Sequence, residues 1–109
     1  MDQNSLRRLA SEGIESFPPS ALQNLVEWCW DFGEASGDAR YSSLSASLAL
    51  VAGLFEDDGA APNSLVQALN EHLYLWIPAI LQANTAADGA LSARSFRQDV
   101  AETISRTRW

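Results

Sequence analysis

The 109-residue chain contains no lysine, and all seven of its bases are arginine. Schiff-base lysines, the phosphate-gripping lysine of a Walker loop and any Ser–Lys catalytic pair are therefore excluded. A single cysteine, Cys29, can form neither an internal disulfide nor a multi-cysteine zinc site. A single histidine, His72, excludes any site built on two. The six glycines, Gly13, Gly33, Gly37, Gly53, Gly59 and Gly89, are too scattered to form a phosphate-binding loop. β-Branched residues are scarce and apolar/polar alternation never persists, so no strand is expected. No apolar run approaches the ~20 residues of a membrane span, and the most apolar stretch, Leu44–Phe55, is interrupted by Ser45, Ser47 and Gly53. Asp2 stands where a secretory signal would carry its basic region, and no apolar segment follows Arg7 and Arg8. The expectation is a cytoplasmic protein that does not enter a membrane.

What is present is acid. The formal net charge is −7, and it is unevenly distributed. Between Glu12 and Asp88 there are eleven acids and one base, Arg40. Such a body repels nucleic-acid phosphates and steers basic partners toward itself. The remaining arginines lie near the two ends.

The hydrophobic spacing predicts an all-α fold, a single-domain bundle of about five helices spanning residues 1–109. The length suits one domain with one core. A first helix is expected over Asn4–Ile14, ended by Phe17-Pro18-Pro19, because proline cannot continue a helix. A second starts at Ser20, where Ser20 and Gln23 fit a capping box, and ends near Gly33–Gly37. A third runs from Tyr41 to Phe55, with Leu44, Leu48, Val51 and Phe55 on one face. Its small residues Ala46, Ala49 and Gly53, on the other face, would let a neighbour approach closely. Glu56–Pro62 reads as a loop. A fourth helix follows a capping box at Ser64 and Gln67, with Leu65, Leu69, His72, Leu73, Trp76 and Ile80 inward and a kink at Pro78. Asn84–Gly89 reads as a loop before a fifth helix capped by Ser92, with Leu91 and Phe96 as a hydrophobic staple. The second, third and fourth helices are broadly apolar. The first and fifth are narrower and read as covers.

The most patterned stretch is Ser20–Glu34. At 100° per residue, its apolar residues fill an arc of about 200°, too wide for one neighbour. Trp28 and Trp30 fall on opposite shoulders of that arc and are expected to pack against different elements. Glu27, Asp31 and Glu34 line the polar side with no base among them. Glu27 and Asp31 repel at i, i+4, and Asp31 and Glu34 oppose the dipole at the helix C-terminus.

The candidate chemistries are few. Cys29 and His72 could pair as nucleophile and base only if two helices brought them together, yet both sit within apolar stripes. Glu56, Asp57 and Asp58 do not match the spacing of a calcium loop and read as a solvated turn. Neither a metal nor a cofactor is called for. The expectation is a non-enzymatic binding protein of immunity, antitoxin or inhibitor type, which neutralises a basic protein partner. Its partner-binding surface would comprise Glu27, Asp31, Glu34, Glu56, Asp57 and Asp58, with Trp109 or Tyr41 as aromatic anchor. One alternative is a homo-oligomeric structural or adaptor protein, its acidic body meeting the arginine flank of the fifth helix (Arg94, Arg97, Arg108) in another copy. A third reading is a small-ligand-binding domain with His72 and Trp76 in the pocket. The acidic stripe could equally be a solvated face, or be neutralised by that arginine flank within the same molecule.

Overall fold

The computed structural model describes residues 2–54 and 62–106. Its described residues form five α-helices and no strand: α1 (Gln3–Glu12), α2 (Pro19–Ser36), α3 (Ala39–Gly53), α4 (Asn63–Leu81) and α5 (Ala86–Arg106), with a 3₁₀ turn at Ile14–Ser16 between α1 and α2. The all-α expectation holds. Several boundaries differ from it, each for a local reason.

Asp2 caps α1, its Oδ1 accepting from the Ser5 amide at 3.2 Å. The helix stops before Ile14 because Gly13 adopts φ 90° and ψ 169°, a region only glycine enters without strain. Asn70 of α4 then grips the junction. Its Oδ1 accepts from the Ile14 amide at 2.9 Å, and its Nδ2 donates to Glu15 at 2.6 Å. That bond holds the Glu15 carboxyl below the usual glutamate range.

Neither expected capping box forms. Prolines open both helices instead: Pro18 precedes α2 with Pro19 as its first residue, and Pro62 precedes α4, with no side-chain cap at either. Pro19 suits the first helical position because its fixed φ is already helical and its missing amide would be an orphan there, while Pro18 and Pro62, with ψ 155° and 144°, stand just outside their helices. Ser20 and Ser64 lie inside the first turns. The α2 terminus matches expectation, with Gly37 in the left-handed region at φ 72° donating its amide to the Gly33 carbonyl at 2.9 Å. Asp38 caps α3 through the Arg40 amide at 3.1 Å.

Pro78 lies inside an unbroken α4. Its absent amide leaves the carbonyl four residues back, at Tyr74, without its usual helical donor. The fifth helix begins six residues before Ser92. Thr85 caps it, with Oγ1 accepting from the Asp88 amide at 3.1 Å. Leu91 is exposed, so the expected staple with Phe96 is not made.

The packing order is α2–α3–α5–α4, with α1 laid on α4. α5 is therefore central rather than a cover. Gly89, Ala93, Phe96 and Val100 are buried, and small residues let this narrow stripe seat deeply between α3 and α4. On α3, the expected close approach through Ala46, Ala49 and Gly53 does not occur, since Ala49 and Gly53 are exposed. It occurs at Gly33 of α2, where a Cβ would lie 2.5 Å from Ser42 Oγ and 2.8 Å from the Ser42 amide nitrogen. Beside it the buried Ser45 hydroxyl donates to the Val26 carbonyl at 2.9 Å. Phe55 falls outside the described residues.

Candidate functional site

The rotation of α2 decides what it displays. Leu22, Leu25, Val26, Cys29 and Gly33 are buried. With Gly33 pressed onto α3, Asp31 is turned nearly opposite, and Glu27, Asp31 and Glu34 are all exposed. The two shoulders of the apolar arc have different fates. On one, Trp28 stacks on Phe32, with ring centroids 5.2 Å apart, and both meet Tyr41 edge-on, at 5.9 and 4.7 Å. Gln3 of α1 donates to the Tyr41 hydroxyl. Tyr41 is buried, so it is a packing residue and not the exposed anchor the sequence suggested. On the other shoulder Trp30 remains 52% exposed. More than half of its surface stays open, where burial against a second element was expected.

Trp30 is thus the residue that sequence reasoning missed. The signal was its position: Glu27 precedes it by three residues and Glu34 follows by four, so both are its neighbours on the helix surface. An apolar residue flanked on both turns by acids sits at the edge of a buried face, not within it.

The electrostatics around this face are one-sided. The ion pairs among the described residues are Arg8–Glu12, Arg40–Asp38 and Arg106–Glu102, at 2.8, 3.1 and 3.7 Å. None involves Glu27, Asp31 or Glu34. Arg40, the one base in the acidic middle of the sequence, is turned away, its guanidinium donating to the Ile80, Leu81 and Ala83 carbonyls at the end of α4. Arg94 and Arg97 are exposed on α5 and form no ion pair among the described residues. Neutralisation of the stripe by the arginine flank within one molecule is therefore not found among these residues. Glu56, Asp57, Asp58, Arg108 and Trp109 lie outside the described residues.

Cys29 and His72, discounted as a nucleophile–base pair, meet different neighbours. Cys29 is buried in α2, which packs on α3. His72 on α4 faces α5, its Nε2 2.8 Å from Thr103 Oγ1. Trp76, one turn on, donates its indole N–H to Asp99 Oδ2 at 2.8 Å. These two bonds clamp α4 to α5. They hold the partly buried His72 and Trp76 against α5.

Burial pushes the Cys29 thiol up to about 12 from an ordinary 9.0. A neutral thiol is a poor nucleophile and a poor metal ligand. Keeping the thiol neutral in the fold links stability to pH. The contribution is fully present below pH 9.0 and is lost as pH rises toward about 12, because only the unfolded chain ionises in that window. Cys29→Val is expected to remove this alkaline loss. Urea midpoints at pH 8 and pH 10 would show a drop in the parent and a smaller one in the variant. Equal drops would show that Cys29 is not its source.

No three His, Cys, Asp or Glu side chains converge as a metal site among the described residues, and none of their helices is long and apolar enough to cross a membrane. An open groove of about 330 Å³ runs between the end of α1 and α4, past Gly13, Asn70 and Tyr74. Its polar side chains are largely engaged, Asn70 at the Gly13 junction and Glu12 with Arg8. Comparison of the chain with protein-family models, with curated proteins and with solved structures finds no match.

Proposed function

We propose that this chain is a non-enzymatic, cytoplasmic protein-binding module of immunity, antitoxin or inhibitor type, which occludes a basic protein through the outer face of α2. The observation that carries this reading is Trp30, half-exposed beside Glu27, Asp31 and Glu34, none of which has an ion-pair partner among the described residues. Three carboxylates at i, i+4 and i+7 weaken a helix and oppose its dipole. A cationic partner would reverse that cost. Acids steer the encounter and set its salt dependence, while a large aromatic at the centre supplies the affinity. The neutral Cys29 thiol and the engaged His72 ring support a binding role over catalysis. Glu56, Asp57 and Asp58 are the further acids that the sequence assigns to the partner-binding surface.

The test is a triple charge reversal, Glu27→Arg, Asp31→Arg and Glu34→Arg, followed by capture of native partners at low and high salt. Capture by the parent is expected at low salt and to fade at high salt. The variant is expected to lose at least about tenfold in affinity, about 1.4 kcal/mol. A variant that captures as well as the parent defeats the proposal.

A second reading draws on Arg94 and Arg97, exposed and without an ion pair among the described residues. They could receive the acidic face of another copy, making a homo-oligomer. A net charge of −7 on each copy opposes this association, and a monomeric mass across concentrations would exclude it.

A further inference from the structure

We propose that the outer face of α2 bordered by Trp30 is a receptor for an arginine side chain of the partner, and discriminates arginine from lysine. This rests on the binding role proposed above and names the group it recognises. The geometry comes from the helix. Side chains in a helix lean toward its N-terminus, each covering the turn before its own Cα. Glu34 therefore leans back toward Trp30, and Trp30 leans over the turn that holds Glu27. The result is a half-exposed indole with Glu27 one turn before it and Glu34 one turn after, and Asp31 further round the same exposed side of the helix.

An ammonium and a guanidinium would use this arrangement differently. Lysine carries a compact, strongly hydrated charge, which gains from the acids but little from the ring. Arginine is planar and weakly hydrated. It can lie flat on an indole while its fork of N–H donors reaches carboxylates at the ring's edges. The opposite shoulder of α2 offers no such site, because Trp28 and Phe32 are stacked on each other and against Tyr41. Charge complementarity fixes the sign of the occupant, and the half-exposed indole beside the acids favours a planar cation. A second copy of this chain is the weaker occupant because each copy carries −7.

The experiment measures binding of two labelled peptides of equal length and charge, arginine–serine and lysine–serine, by fluorescence anisotropy at low salt. The arginine peptide is expected to bind the parent about tenfold more tightly than the lysine peptide. Trp30→Ala is expected to bring the two within about twofold, with unchanged helix content and residual salt-sensitive binding. Glu27→Gln with Glu34→Gln is expected to weaken both peptides. Equal binding of the two peptides by the parent overturns the arginine receptor but leaves an acidic binding surface standing. Failure of both peptides to bind overturns the receptor, and if no basic protein is captured either, the underlying role falls with it. A concentration-dependent dimer that dissociates in Arg94→Gln/Arg97→Gln would name a second copy as the occupant and overturn the proposed partner.

Discussion

Phe96→Ala is expected to destabilise the protein by about 3–5 kcal/mol, a large part of the 5–15 kcal/mol typical of a small domain. Phe96 is among the largest side chains with no exposure at all. It sits on α5, the helix held between α3 and α4, so its removal leaves a void walled on both sides. Neither neighbour can close the gap without leaving its other partner, α2 for α3 and α1 for α4. Loss of transfer energy and a persistent cavity therefore add. Leu91→Ala, five residues earlier on the same helix, provides the contrast. Leu91 is 59% exposed, and its truncation is expected to change stability by no more than about 0.5 kcal/mol. Urea unfolding of both variants measures the difference. Similar midpoints would mean that α5 is not the centre of the bundle.

Arg40→Met is expected to cost about 2–3 kcal/mol, because it removes charge-assisted hydrogen bonds from a largely shielded site. The side chain is 13% exposed and pairs through Nε with Asp38 at 3.1 Å. Its Nη1 lies 3.2 Å from the Ile80 carbonyl and 3.4 Å from those of Leu81 and Ala83. Ile80 and Leu81 close α4 and Ala83 follows it, so these acceptors lie at the helix C-terminus, where the dipole also favours a cation. Methionine preserves much of the aliphatic stem and removes only the donors. Arg40→Lys is expected to recover part of the loss, since a point charge cannot serve several carbonyls and a carboxylate from one fork. Hydrogen exchange is expected to rise at the end of α4 in Arg40→Met. An unaffected α4 terminus would show that Arg40 is dispensable as its cap.

The core faces of the helices were legible because burial follows helical periodicity. Leu44, Leu48 and Val51 on α3, Leu65, Leu69, Leu73 and Ile80 on α4, and Ala93, Phe96 and Val100 on α5 are buried as their spacing implies. The helix starts are less legible. Ser20, Ser64 and Ser92 each resemble a cap, and in each case another residue opens the helix earlier. Pro18 and Pro62 do so by backbone geometry, and Thr85 by its hydroxyl. A capping motif states only that a helix could begin at that residue. The acidic half of the candidate site was visible because Glu27, Asp31 and Glu34 recur on one face without a base. Its aromatic half was not. Trp28 and Trp30 look alike in the pattern, and only the position of α3 shows which one finds a partner.

The sequence by itself determined the helical class, the approximate number of helices and the sign of the surface charge. These depend on local periodicity, on proline and glycine, and on composition. Tertiary structure decided the order of packing, with α5 at the centre, because a narrow stripe with Gly89 and Ala93 seats more deeply than its width implies. It also decided that Arg40 serves the end of α4 rather than the acids of α2, which no local rule could place forty residues away. Finally, it decided the outward direction of Trp30. Gly33 admits the Ser42 backbone against α2, and that single close approach sets the rotation of the helix and everything it displays.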